Sequence, residues 1–144
     1  MNPILKARQL AALKHEGQKY GEHPYTYHLL EVENVAIRMY GLGTVCIEEL
    51  QTACLLHDIL EDTDTSVSEL KLLGFTDAVI TAVSLCTKDN ETSYKDYIWA
   101  IRGNELARKV KLCDTAANLM NSIIACNAKR INKYTKQIQL LGGF

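Results

Sequence analysis

Four ionisable side chains stand within six residues in Leu55-Leu56-His57-Asp58-Ile59-Leu60-Glu61-Asp62-Thr63, directly after an apolar run. On a continuous helix His57 and Glu61 share one face, Asp58 and Asp62 another, with about 100° between the two. An apolar helix that abruptly carries His, Asp, Glu and Asp must surface there or hold something cationic, because an unpaired buried carboxylate is too costly. Neutral imidazole beside carboxylate is ligand chemistry for a divalent metal. One helix cannot close such a site, so the remaining ligands must come from elsewhere in the chain.

Two positions answer that need. Of the four histidines (His15, His23, His28 and His57), His28 begins the apolar face of a second helix, and antiparallel neighbours can bring it to His57. Asp114 lies in an otherwise apolar helical interior, with Lys111 one turn before it and Asn118 one turn after it. Aspartate is a poor helix former and is rarely buried unpaired, so this one requires a Lys or Arg partner or a metal. The spacing is H…HD…D: His28, then His57-Asp58 after 29 residues, then Asp114 after 56 more. Two imidazoles and two carboxylates leave room for water and suit Mn²⁺, Fe²⁺ or Zn²⁺ better than Ca²⁺. Such an ion lowers the pKa of water and polarises a phosphoryl oxygen. Glu61 is placed to act as a base. Lys19, Lys88 and Lys111 are candidate phosphate contacts, although each taken singly also reads as a solvated surface residue.

The elements that must position these residues read as helices almost throughout. Helices are expected over about 4–19, 27–40, 45–61, a short piece from Ser66 to Gly74, 76–85, 93–101, 105–126 and 128–140. Asn2-Pro3, Thr44, Ser66, Thr76 and Asn104 supply their starts. Leu5, Leu10 and Leu13 are available for a core stripe in the first helix, and Leu29, Val32, Val35, Ala36 and Met39 follow helical spacing in the second. No strand alternation, repeat or linker is evident. The expectation is an all-α, single-domain bundle over residues 1–144 with seven or eight helices.

Composition excludes several classes. At 144 residues, 47% apolar and 23% charged, the chain can bury a real core. A net charge of −1 gives no pull toward nucleic acid or membrane. No apolar run approaches the roughly 18 residues that span a bilayer, and the N-terminus lacks a signal-peptide core. Five cysteines (46, 54, 86, 113 and 126) with no CxxC pair read as reduced core residues of a cytoplasmic protein. Residues 102–144 hold 8 Lys/Arg against 2 Asp/Glu. That imbalance reads as solvated helix faces or as a basic wall for an anionic substrate.

These residues resemble the HD-domain metal-dependent phosphohydrolases, and among them the hydrolase domain of the RelA/SpoT family and its stand-alone small alarmone hydrolases. The matching words are Gly17-Gln18, Pro24-Tyr25-x-x-His28, Ala53-x-Leu55-Leu56-His57-Asp58-x-x-Glu61-Asp62-Thr63-Asp64, Thr87-Lys88 and Val110-Lys111-Leu112-x-Asp114-x-x-x-Asn118-Leu119. They occur in family order over roughly residues 8 to 121. The resemblance implies an HD-type bundle with one Mn²⁺ held by His28, His57, Asp58 and Asp114. It places Glu61 and Asp62 over the attacking water as the catalytic pair. It implies removal of the 3′-pyrophosphate from guanosine tetra- or pentaphosphate, giving GDP or GTP, with Asn118 helping to hold the nucleoside. The implied partner is a small nucleotide rather than nucleic acid or membrane, and no oligomeric state follows. With no synthetase or regulatory segment in the sequence, the expected activity is hydrolysis alone. Departures concentrate near the nucleoside: Lys19-Tyr20 replaces an Arg-Lys pair and runs one residue shorter, Leu29 replaces a proline, and Ala116-Ala117 replaces a bulkier pair. They motivate an alternative, an HD-type phosphohydrolase acting on another nucleotide or phosphoester. A non-catalytic metal-binding or nucleotide-sensing module is a third reading, which the intact Glu61-Asp62 pair opposes.

Overall fold

A computed structural model describes residues 1–43 and 46–144. Helix α1 (Pro3–Lys14) opens at Asn2, whose Oδ1 accepts from the backbone N–H of Ile4 at 2.9 Å and of Leu5 at 3.2 Å. It ends at His15 rather than near residue 19. Its buried face is Ala7 and Ala11, one turn apart, while Leu5 and Leu13 lie exposed and Leu10 packs only partly. The expected leucine stripe is therefore replaced by small residues that let α1 approach the helix below closely.

Gly17 and Gly21 take positive φ and turn the chain. Between Gly17 and α2 stands an antiparallel ribbon that the sequence reading did not anticipate, β1 (Lys19–Tyr20) against β2 (His23–Pro24). The two-residue turn Gly21-Glu22 closes it, with glycine at the position that needs a left-handed backbone. Helix α2 (Tyr25–Tyr40) then buries His28, Leu29, Val32, Glu33 and Ala36, leaving Met39 exposed. Buried Glu33 accepts two hydrogen bonds from Arg8, at 2.8 and 3.0 Å, and one from Gln51 at 3.0 Å.

Thr44, the expected cap of the third helix, lies outside the described residues. Helix α3 (Ile47–Leu56) is buried on nearly every side and stops at His57. Asp58 breaks the helix at φ −102°, ψ 0°, and a single turn, α4 (Ile59–Asp62), restarts it. The continuous helix expected over 45–61 is thus two segments. Next come α5 (Val67–Leu72), α6 (Asp77–Leu85), α7 (Tyr94–Arg102), α8 (Glu105–Ile124) and α9 (Ala128–Leu140). Each opens on a side-chain cap, from Ser66, Thr76, Ser93, Asn104 and Asn127 respectively.

Helices α2, α3 and α8 pack on one another at the centre, with α6 against α3 and α8, α1 across α3, and α9 along α8. This is the all-α bundle that was expected, with nine helices among the described residues rather than seven or eight because the third expected helix is broken at Asp58. Cys54, Cys86 and Cys113 are buried as expected, but Cys46 and Cys126 are exposed; all five are free thiols. Among the described residues no helix is long and apolar enough to cross a membrane.

Candidate metal centre

Three central helices each deliver one side chain to a common point. His28 comes from the first turn of α2, His57 from the C-terminal end of α3, and Asp114 from the middle of α8. All three are buried, and their candidate ligand atoms lie within 4.8 Å of one another. His28 Nε2 is 3.0 Å from Asp114 Oδ1. His57 Nε2 is 2.9 Å from Asp58 Oδ2 and 3.4 Å from Asp114 Oδ1.

The tautomer of His57 suits a ligand. Its Nδ1 donates to the Cys54 carbonyl at 2.7 Å, so in the neutral ring the Nε2 lone pair faces the carboxylates. Yet Nε2 makes no hydrogen bond among the described residues, despite two carboxylate oxygens at short range. The separations are short, but the directions fail for an N–H donor. A cation among these atoms requires no N–H direction, and the donor set of imidazole and carboxylate fits a divalent transition ion. His28, His57 and Asp114 could therefore hold a metal.

The helix break shapes the rest. It turns Asp58 toward His57 and lifts α4 to the rim, where Asp58, Glu61 and Asp62 form a second acidic group with carboxylate oxygens within 4.8 Å of one another. Glu61 and Asp62 are exposed. Glu61 Oε1 accepts from the backbone N–H of Lys88 at 2.9 Å. The Tyr25 hydroxyl donates to Asp58 Oδ2 and stands 3.5 Å from Asp62 Oδ2. Gln18 Nε2 donates to the Asp62 carbonyl at 2.8 Å, and Gln18 Oε1 lies 2.8 Å from His15 Nδ1.

Opposed charges set the electrostatics. Burial alone would push the Asp114 carboxyl up, but Lys111 and His57 outweigh it and hold it well below the usual carboxylate range. Burial likewise favours neutral His57, and Asp58 and Asp114 overcome that to raise its pKa well above an ordinary imidazole. Asp58 is lowered, chiefly because His57 outweighs its burial. Asp62 is raised by burial and by the neighbouring Asp58 charge. Burial, followed by the Asp58 charge, keeps the Tyr25 phenol protonated and hence a donor.

The candidate substrate residues separate in space. Lys111 Nζ lies 3.0 Å from Asp114 Oδ2 and is turned inward as its ion-pair partner. Asn118 Nδ2 donates to Asp114 Oδ1 at 3.0 Å, while its Oδ1 accepts from the Tyr20 hydroxyl at 2.6 Å. The Lys88 ammonium donates to the Asp89 carbonyl in an exposed loop. Lys19 is exposed on β1 beside Gly17, Gln18, Glu22 and Pro24. Sequence reasoning gave no role to Tyr20, Tyr25, Gln18 or His15. Tyr25 carried a signal, since it precedes His28 by three residues and so shares its helical face. Tyr20 stood out in sequence only as part of the Lys19-Tyr20 departure, and the ribbon is what brings it over the site.

A helical bundle with buried imidazoles and carboxylates at one point, and free acids at its rim, defines a candidate metal-dependent hydrolase. No family profile matches the chain. It is 42% identical over 94 residues to the guanosine-3′,5′-bis(diphosphate) 3′-pyrophosphohydrolase of Aquifex aeolicus, covering 64% of this chain and 12% of that one. The human enzyme of the same name, MESH1, is 33% identical over 72 residues, covering 48% of this chain and 38% of its own length. Mouse MESH1 is 31% identical over 124 residues, covering 81% of this chain and 67% of its own. The solved structure of a metazoan ortholog of SpoT, described as hydrolysing ppGpp and acting in starvation responses, superposes with a TM-score of 0.72 at 25% identity. That match covers 98% of this chain and 84% of the other. The chain thus spans an eighth of the bacterial relative and under half of the human one. It belongs to the family of guanosine-3′,5′-bis(diphosphate) 3′-pyrophosphohydrolases.

Proposed function

We propose that this chain hydrolyses the 3′-pyrophosphate of guanosine tetra- and pentaphosphate, using one Mn²⁺ held by His28, His57, Asp58 and Asp114. The observation that carries the reading is the buried His28–His57–Asp114 cluster with Asp58, Glu61 and Asp62 at its rim, in a chain whose relatives bear that enzyme name. When bound, the ion supplies a Lewis acid for a phosphoryl oxygen and lowers the pKa of water.

The chain's own residues do the rest. Tyr25 holds Asp58 by its hydroxyl, and the Cys54 carbonyl holds the His57 tautomer. Glu61 and Asp62 face the space where a phosphate ester arrives. Their carboxylates orient the attacking water and accept its proton as its oxygen bonds to phosphorus. The bond from phosphorus to the 3′ oxygen breaks, that oxygen is protonated, and pyrophosphate departs. Lys88, whose backbone N–H meets Glu61, and Lys19, exposed on β1, meet the polyphosphate. Asn118 meets the nucleoside through the second lone pair of its Oδ1, keeping its hydrogen bond from Tyr20. Lys111 keeps Asp114 ionised. Five free thiols fit a reducing cytoplasm.

One observation favours a second substrate, another nucleotide or phosphoester: the Asn118 carboxamide is engaged on both sides, by Tyr20 and Asp114. Product analysis separates the readings. Protein stripped of metal and reloaded with Mn²⁺ is given guanosine tetraphosphate and the products are resolved by anion exchange. GDP with pyrophosphate is expected. Unchanged substrate, with metal content verified, rejects the first substrate, and cleavage of another ester in a nucleotide panel then identifies the second.

A further inference from the structure

The two histidines of the cluster are held differently. His57 has the usual device of a ligating imidazole, a second nitrogen hydrogen-bonded to a backbone carbonyl. His28 lacks it: its Nδ1 is buried and has no hydrogen-bond partner among the described residues. Something else must set the plane of that ring. The Tyr20 ring lies nearly parallel to it, centroids 4.4 Å apart and planes 11° apart. Tyr25 and His57 meet it only edge-on, at 5.7 and 5.6 Å.

The Tyr20 hydroxyl reaches the other side of the cluster. It donates to Asn118 Oδ1 at 2.6 Å, which turns the Asn118 amide nitrogen toward Asp114 Oδ1 at 3.0 Å. Asn121 Nδ2, 3.4 Å from the same hydroxyl, supplies a donor to it and also donates to Glu31 Oε1 at 2.9 Å. The polarity runs one way, from Asn121 through Tyr20 and Asn118 to Asp114. Were the Asn118 carboxamide flipped, its oxygen would face the carboxylate. The ribbon fixes Tyr20 itself, paired opposite His23 and followed by the Gly21 turn.

We propose that Tyr20 is a positioning residue of the metal centre, its ring replacing the missing hydrogen bond to His28 and its hydroxyl setting the amide that orients Asp114. This rests on the reading of His28 and Asp114 as ligands and is independent of the identity of the substrate.

The test is Mn²⁺ affinity of the purified chain by calorimetry, without nucleotide, for wild type, Tyr20→Leu, Tyr20→Phe, Asn118→Ala and the Tyr20→Phe/Asn118→Ala double variant. Thermal melting of the metal-free proteins checks folding. Tyr20→Leu loses ring and hydroxyl, and its affinity is expected to fall about 10- to 100-fold. Tyr20→Phe keeps the ring and loses the hydroxyl's hydrogen bond to Asn118 together with the longer one from Asn121, so a fall of about three- to tenfold is expected. The double variant is expected to lose less than the product of the single losses, because both act through one amide. Wild-type affinity in Tyr20→Leu, or multiplicative losses in the double variant, overturns the proposal. Should Tyr20→Leu fail to fold, the Tyr20→Phe and Asn118→Ala cycle decides alone. Affinity that falls as expected while wild type leaves guanosine tetraphosphate intact rejects that substrate and keeps Tyr20 in its role. A wild-type chain that binds no Mn²⁺ overturns both.

Discussion

Replacing Lys111 with methionine separates its two readings, as a phosphate contact or as the partner of Asp114. The Lys111 and Asp114 side chains are 16% and 8% exposed, with 3.0 Å between Nζ and Oδ2. At an effective dielectric near 20, two charges at that separation attract by about 5 kcal/mol. Removing the ammonium also recovers its own desolvation, and breaking a buried pair of this kind costs about 3–5 kcal/mol net. His28, His57 and Asn118 still face Asp114, which places Lys111→Met at the low end, about 3 kcal/mol. Methionine keeps most of the apolar stem, so little of the loss is packing, and the ammonium's contact with the Tyr97 ring, 5.9 Å from its centroid, goes with the charge. For a chain of this size the melting temperature falls by roughly 10 °C.

The assay is thermal and urea unfolding of the metal-free protein at pH 7 in chelator, repeated with saturating Mn²⁺. A bound cation gives Asp114 a second partner, so the Mn²⁺-loaded variant loses less than the metal-free one. A metal-free loss below about 1 kcal/mol, the range of exposed pairs, would refute the buried-pair argument. If the nucleotide KM rose at the same time, Lys111 would be a substrate contact instead.

Stability of the metal-free protein should depend on pH from both sides. The Asp114 contribution, from a lowered pKa, is complete above about 4 and is lost as pH falls through its folded value; that of His57, from a raised pKa, is complete below about 6.5 and is lost as pH rises through its folded value. Chelator-treated melts across pH should therefore show both contributions complete only between about 4 and 6.5, and Mn²⁺ affinity should rise with pH as protons cease to compete. Glu61→Gln should bind Mn²⁺ as wild type and turn over about 10²- to 10⁴-fold more slowly, measured as metal content beside kcat. Asp114→Ala should lose metal and turnover together; unchanged metal content would remove it from the ligand set. Arg8→Ala, away from the site, should cost about 2 kcal/mol in urea unfolding by stranding buried Glu33, discounted because Arg8 is half exposed, and should leave Mn²⁺ affinity unchanged.

Asp114, His57 and Asp58 stood out as candidate ligands because they broke a local rule, whereas His28 was reached only as a neighbour that antiparallel packing could bring to His57. Asp114 is an acid inside an apolar helical run, and His57-Asp58 ends the apolar run Ala53-Cys54-Leu55-Leu56; such conflicts with packing mark positions held by something other than the core. Helices were legible from caps, and the Ser66, Thr76 and Asn104 starts recur in the structure. What could not be read were features set by approach rather than by pattern. Ala7 and Ala11 outrank Leu5 and Leu13 in burial because α1 crosses α3 closely, and no periodicity records an interhelical distance. The ribbon that carries Tyr20 has two residues per strand, too short for alternation to register. Lys111 read as a candidate phosphate contact one turn before Asp114, and only the packing of α8 turns its ammonium onto that carboxylate.

Under the proposed function, the break at Asp58 separates metal binding from reaction within one stretch of sequence. On an uninterrupted helix Glu61 would sit one turn above His57, along the wall of the core, and a carboxylate there would be drawn into the same desolvated cluster. Ending α3 at Leu56 lets His57 stay buried with its Nδ1 proton on the Cys54 carbonyl, while α4 carries Glu61 and Asp62 into solvent. Asp58 stands at the hinge between them, 2.9 Å from His57 and held by Tyr25, the residue that also approaches Asp62. A buried imidazole needs its nitrogens paired, by a hydrogen bond, an opposite charge or a metal, whereas a proton acceptor must exchange with water on every cycle. The His-Asp-x-x-Glu-Asp run answers both demands only because the helix stops between its first residue and its third.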